Sequence, residues 1–168
     1  NWVLKSVYFD YIKDKERNEI IISGVEHPAV NASAYFLKKL GVKVIDLPTN
    51  NEGLSSLDDL KNAISDKTAL VSIMWANNET GMIFPIEQMV ELTHEYGALF
   101  HSDATQAVGK IKVNLQRANV DFASFSAHKF HGPKGVGGLY IKKGIKLTPL
   151  LHGGAQMSGY RSGTLNVA

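Results

Sequence analysis

The chain has 168 residues, 44% of them hydrophobic and 20% charged, which suffices to bury the core of one globular domain. A net charge of +2 without a basic run gives no footprint for nucleic acid or a membrane surface, and no apolar segment approaches bilayer length. Cysteine is absent, which excludes disulfides, thiolate metal sites and a cysteine nucleophile within these residues and is compatible with a cytosolic origin.

In chain order, the first strand-like run is Glu19–Ser23, followed by a helix over Pro28–Leu40 with Pro28 near its start and Gly41 just past its end. Val42–Leu47 is the next strand. A helix over Ser56–Ser65 follows, capped by Ser55 or Ser56, with Asp58 and Asp59 in the dipole-favoured first turn. Ala69–Met74 is a third strand, Ile86–Tyr96 a third helix, and Ala98–Ser102, Phe122–Ser126 and Gly138–Ile141 complete the strands. The runs are short and rich in β-branched or aromatic residues, as buried strands are. Their alternation with helices predicts an α/β fold, three-layer α/β/α around a mainly parallel central sheet. Residues 147–168 carry Gly153, Gly154, Gly159 and Gly163 without periodicity and read as a loop-rich tail on one domain covering 1–168.

The polar residues fall at one place on this frame. His27 follows the first strand, Asn77-Asn78-Glu79 the third, Asp103 the fourth, and Ser126-Ala127-His128-Lys129 the fifth. Ligands of open α/β sheets bind beyond the carboxyl ends of the strands, and all four candidates lie there. Lys129 stands between an apolar strand and the glycine-rich run His131-Gly132-Pro133-Lys134-Gly135, an unusual place for a lysine unless its amine is used chemically. A lysine able to form a Schiff base and an acid able to hold a pyridinium nitrogen are what a pyridoxal phosphate site asks of a protein.

Each candidate also has a plainer reading. Lys129 alone would be a snorkelling surface lysine, and Asp103 could simply cap a helix over Ala104–Val108. Gln106 can donate to a cofactor phenolate or be merely exposed. His27 can stack on a ring and move protons, or serve structure at a helix start. Asn78 can contact the phenolate or a substrate carboxylate, or be turn chemistry before Gly81. Ser126 and His128 can donate to a phosphate. The pairs His128/His131 and His101/Asp103 lack the third ligand of a zinc set, and Gly132-Pro133-Lys134-Gly135 lacks the spacing of a nucleotide P-loop. Arg161-Ser162-Gly163-Thr164 has the donors of an anion cradle.

Taken together, Val25-Glu26-His27, Ala76-Asn77-Asn78-Glu79-Thr80-Gly81, Asp103-Ala104-Thr105-Gln106, Ser126-Ala127-His128-Lys129 with Gly132-Pro133-Lys134-Gly135, and Arg161-Ser162-Gly163-Thr164 resemble the NifS/IscS-type cysteine desulfurases. These are fold-type I pyridoxal phosphate enzymes of the class V aminotransferase family. The resemblance implies that Lys129 bonds the cofactor covalently and that Asp103 meets its ring nitrogen. It places Gln106 at the phenolate, His27 on the ring face, Asn78 by substrate and ring oxygen, and Ser126 and His128 at the phosphate. Thr164 would reach the phosphate site of a neighbouring subunit, which implies a homodimer.

The implied reaction takes L-cysteine to L-alanine in the cytoplasm. The sulfur passes to an enzyme cysteine persulfide and on to an acceptor or iron–sulfur scaffold protein. Nothing here matches the family's upstream Gly-x-Thr-Glu phosphate loop, its catalytic cysteine or its carboxylate-binding arginine. Asn1–Tyr11 reads like the helix after that phosphate loop. The expectation is therefore a central part of the large cofactor domain, inactive by itself. The rival expectations are another class V enzyme, an aminotransferase or selenocysteine lyase, and a non-catalytic binding module.

Overall fold

A computed structural model describes residues 1–165. Six strands form one sheet in the order β2-β1-β3-β4-β5-β6. They are β1 (Glu19–Ser23), β2 (Lys43–Leu47), β3 (Thr68–Ser72), β4 (Leu99–Asp103), β5 (Phe122–Ser126) and β6 (Gly137–Ile141). The first five pair in parallel, and β6 runs antiparallel along the edge of β5. All five residues of β1 and of β3 are buried, as central strands covered on both faces must be.

Side-chain alternation sorts the core into two layers. On one face, Ile20, Ile22, Leu70 and Phe122 pack with α1 (Trp2–Val7) and α2 (Pro28–Lys38), through Leu4, Val7, Ala34 and Leu37. On the other, Ile21, Val71 and Phe100 pack with α3 (Leu57–Ala63), α4 (Ile86–Glu95) and α5 (Leu115–Ala118), through Leu60, Met89 and Ala118. This is the expected α/β/α sandwich. Each fully buried Leu or Ile in these layers contributes about 1.5–3 kcal/mol relative to exposure.

The helices end slightly earlier than their sequence periodicity predicts. Lys39 caps α2 and Gly41 takes φ 92° in the turn beyond it, so Leu40 lies outside the helix. Ser56, not Ser55, caps α3: its Oγ accepts from Asp59 N while Asp59 accepts from Ser56 N, a complete capping box. Ala104–Val108 forms hydrogen-bonded turns and not a helix. The tail is irregular apart from a short 3-10 turn at Gln156–Gly159, and residues 166–168 lie outside the described part.

Chain order sets the position of the site. From β1 the chain passes through α2 to β2 on one side, then crosses through α3 to β3 on the other. The carboxyl ends of β1 and β3 therefore diverge into separate connections and leave a crevice between them, the usual ligand position in such sheets. Among the described residues no helix is long and apolar enough to cross a membrane.

Candidate active site

A cavity of about 280 Å³ opens at this carboxyl edge. His27, Asn78, Asp103, Gln106, Ser126, His128 and Lys129 all line it. Thr164, the remaining expected site residue, is exposed and is not part of the lining.

Local geometry explains how each group is presented. Lys129 lies on the 3-10 turn Ala127–Phe130 directly after β5, and His131 ends that turn at φ 69°. The turn is packed from behind by glycine: a Cβ on Gly132 would stand 2.7 Å from that of Ala127, and one on Gly109 would stand 2.7 Å from Phe130 Cβ. The glycine-rich run thus allows backbone to close against the lysine turn, leaving Lys129 and His128 exposed towards the cavity.

Asp103 ends β4, and its Oδ1 accepts from Thr105 N at 3.0 Å. It caps a turn and faces the cavity at once, so the two readings of this residue are compatible. Gln106 accepts from Lys110 through its carbonyl oxygen, which leaves its amide N–H groups as donors to the cavity. His27 is the N-cap of α2: its Nδ1 accepts from Ala29 N at 3.1 Å. The ring is thereby oriented, and Nε2 is the nitrogen left for other work.

Asn77 holds Asn78 in place. Its Oδ1 accepts from Glu79 N at 2.8 Å and Thr80 N at 2.9 Å, while its Nδ2 donates to Val25 O at 3.1 Å. Asn77 is buried and Asn78 exposed, so one amide builds the loop that offers the other.

Four polar residues not singled out as site groups by sequence reasoning belong to the same region. Glu26, 5% exposed, accepts at Oε1 from Ser23 Oγ (2.6 Å) and Met74 N (2.7 Å), joining the ends of β1 and β3. Its Oε2 is buried with no partner among the described residues. Burial pushes this carboxyl up to about 8, the Asp103 charge adds to the rise, and the two donated bonds only partly oppose it. His101 lies buried between Ser72 and Ser124, and burial pushes its imidazole down to about 4. The signal for His101 and Ser124 was period two: each stands two residues before an assigned site residue on its strand.

The donor set fits pyridoxal phosphate on its chemistry. An amine, a carboxylate, an imidazole face and a cluster of hydroxyl, imidazole and amide donors surround a single cavity. Comparison with known proteins agrees, since residues 2–168 match the family Aminotransferase class-V. The chain belongs to that family.

Within the class V family its similarities are specific. Over all 168 residues it is 49% identical to a protein named cysteine desulfurase IscS from Clostridium botulinum (strain Hall). Over 152 residues it is 51% identical to a cysteine desulfurase of Gluconacetobacter diazotrophicus. A solved NifS-like protein superposes with a TM-score of 0.94 at 45% identity, covering 98% of this chain and 45% of that one. SspA in complex with cysteine superposes at 0.89 with 34% identity, covering 97% of this chain and 49% of that one. The chain spans 42% of the Clostridium protein and 38% of the Gluconacetobacter protein.

Proposed function

We propose that this class V chain is the pyridoxal-phosphate-holding part of a cysteine desulfurase, part of the large cofactor domain of a homodimer, and that it acts in the cytoplasm. The observation that carries the reading is the convergence of Lys129, Asp103, Gln106 and His27 on one cavity at the carboxyl edge of the sheet, beyond β1, β3, β4 and β5. Its resemblance to proteins named cysteine desulfurase supports L-cysteine as substrate.

Bound pyridoxal phosphate would supply an electron sink for bond breaking at a substrate amino acid. The chain's own residues then have distinct tasks. Lys129 offers the amine that tethers the cofactor and afterwards is placed to move protons at the reacting carbons. Asp103 holds a proton on the ring nitrogen through a charge-assisted hydrogen bond. Gln106 donates an amide N–H to the ring oxygen, and Asn78 donates to that oxygen or to the substrate. Ser126 and His128 supply donors to the phosphate. His27, oriented by its cap bond to Ala29, covers one ring face and excludes water there.

In the overall reaction the C–S bond of cysteine breaks and a proton replaces sulfur on carbon, giving alanine. A thiol takes the sulfur as a persulfide, from which an acceptor or iron–sulfur scaffold protein receives it. These 168 residues contain no cysteine, so they do not provide that thiol.

The test is a visible absorption titration with pyridoxal phosphate, run beside Lys129→Ala. A band that requires Lys129 supports the reading; a folded protein that gives no such band defeats the cofactor assignment. For the reaction, the protein with a thiol acceptor is expected to release alanine from cysteine, and a keto acid as product would assign it to the aminotransferases. Without an added thiol acceptor the 168 residues are expected to release no alanine, and release at an enzyme-like rate would overturn the assignment of that thiol to a group outside them.

A further inference from the structure

Three side chains form a hydrogen-bonded row across the sheet beneath the cavity. Ser72 Oγ on β3 lies 2.7 Å from His101 Nδ1 on β4, and His101 Nε2 lies 3.0 Å from Ser124 Oγ on β5. Ser72 and His101 are buried at 0% and 2% exposure, whereas Ser124 is half-buried and lines the cavity. Asp103 stands two residues beyond His101 and pairs with Ser124 in the strand register. The row therefore runs from a dry interior to the wall beside the proposed ring-nitrogen partner.

Proton counting fixes the direction of these bonds. A neutral imidazole carries one N–H and one acceptor nitrogen, and each serine hydroxyl can donate only once. Among the described residues Ser72 Oγ has a single partner, Nδ1 of His101. Were Nδ1 protonated, it would donate to Ser72, and the Ser72 proton would be buried without an acceptor, a desolvation penalty with no compensation. The arrangement that satisfies every group has Ser72 donating to Nδ1 and the Nε2–H donating to Ser124 Oγ. The Ser124 proton is then forced outward.

We propose that Ser72 and His101 are positioning residues that make Ser124 an obligate hydrogen-bond donor into the cavity beside Asp103, where it contacts bound pyridoxal phosphate or the carboxylate holding it. This rests on the reading of the cavity as a pyridoxal phosphate site and adds a ligand-facing residue to it. Burial keeps His101 neutral, outweighing the attraction of the Asp103 charge. A neutral ring is what the row requires, since an imidazolium would donate to both serines and leave the Ser72 proton stranded.

The first test needs no cofactor. Nitrogen-15 NMR of histidine-labelled protein is expected to show His101 as the Nε2–H tautomer, unchanged through the ordinary histidine range; the Nδ1–H tautomer or an imidazolium would overturn the proposal. The second test is the pyridoxal phosphate titration. Ser124→Ala and Ser72→Ala are each expected to weaken binding about tenfold, the size of one lost hydrogen bond.

The double variant should bind no worse than Ser124→Ala, and Ser124→Thr, which keeps the hydroxyl, should bind as the parent does. Parent-like binding by folded Ser72→Ala, or additive losses in the double variant, would sink the relay. If the parent binds no pyridoxal phosphate at all, the functional reading fails, while the NMR result still decides the bond directions.

Discussion

Two buried glutamates flank β1 and meet opposite fates. At the amino edge of the sheet, Glu19 accepts from Lys43 Nζ at 2.8 Å and from Ser65 Oγ at 2.7 Å. Burial alone would raise its carboxyl, but the bonds and the lysine charge overturn that and hold it below the usual range. At the carboxyl edge, Glu26 has two neutral donors and a like-charged neighbour in Asp103, and there burial wins. The same contrast extends across the sheet. Asp121, at the amino edge, is held by Phe100 N and His94 Nε2, both at 2.8 Å, and by Lys142 at 3.6 Å. Asp103, at the carboxyl edge, has one backbone donor and an open side. The amino-edge carboxylates are fully partnered within the fold, whereas Asp103 keeps acceptor capacity that faces the cavity.

The contrast can be broken most strongly at Glu26. Its folded-state carboxyl lies near 8 against an unfolded value of 4.5, so the folded chain retains a proton that the unfolded chain releases. Stability from this group is complete below pH 4.5 and falls as pH rises, by up to ~1.4 kcal/mol per pH unit, until it levels above about pH 8. Glu26→Gln should remove that slope in urea unfolding measured across the window; an unchanged slope would show that Glu26 is ionised throughout.

Next is the aspartate pair. Asp121→Ala is expected to cost about 3 kcal/mol in urea unfolding, because it strands the buried Phe100 N–H and removes a partner from Lys142 and from the His94 ring. Asp103→Ala should cost less than about 1 kcal/mol yet lose the pyridoxal-phosphate-dependent band; equal stability losses would erase the distinction between the edges.

Smaller still, Lys43→Ala should cost about 1 kcal/mol or less, since the lysine is largely exposed, and the loss should shrink in high salt. Ser56→Ala, remote from both edges, should cost about 1 kcal/mol through its capping box and leave cofactor binding unchanged.

The sequence carried much of this because β1 and β5 are short apolar runs with polar punctuation, and both were bounded as observed. β3 was misplaced towards its carboxyl end. Ile73 and Met74 continue its apolar run but leave the strand: Ile73 stays in the core, while Met74 lines the cavity and its N–H meets Glu26. That His27, Asn78, Asp103 and Lys129 share one sheet edge was legible because each follows a strand, and all four line the cavity there. The Ser72–His101–Ser124 row was not, because its members come from three strands and only strand register brings them together. Glu26 was visible as a residue, but its protonation depends on depth and on the distant Asp103, neither of which local sequence encodes.

The crevice is assembled from residues spread between His27 and Lys129, in parallel strands that pair only after long crossovers. During synthesis the chain leaves the ribosome amino end first, so the acid on β4 emerges before the amine beyond β5. A nascent chain that ends at Asp103 has one half of the cavity lining and lacks the lysine that faces it. Vectorial translation therefore brings Lys129 to the cavity only after five of the six strands have been made.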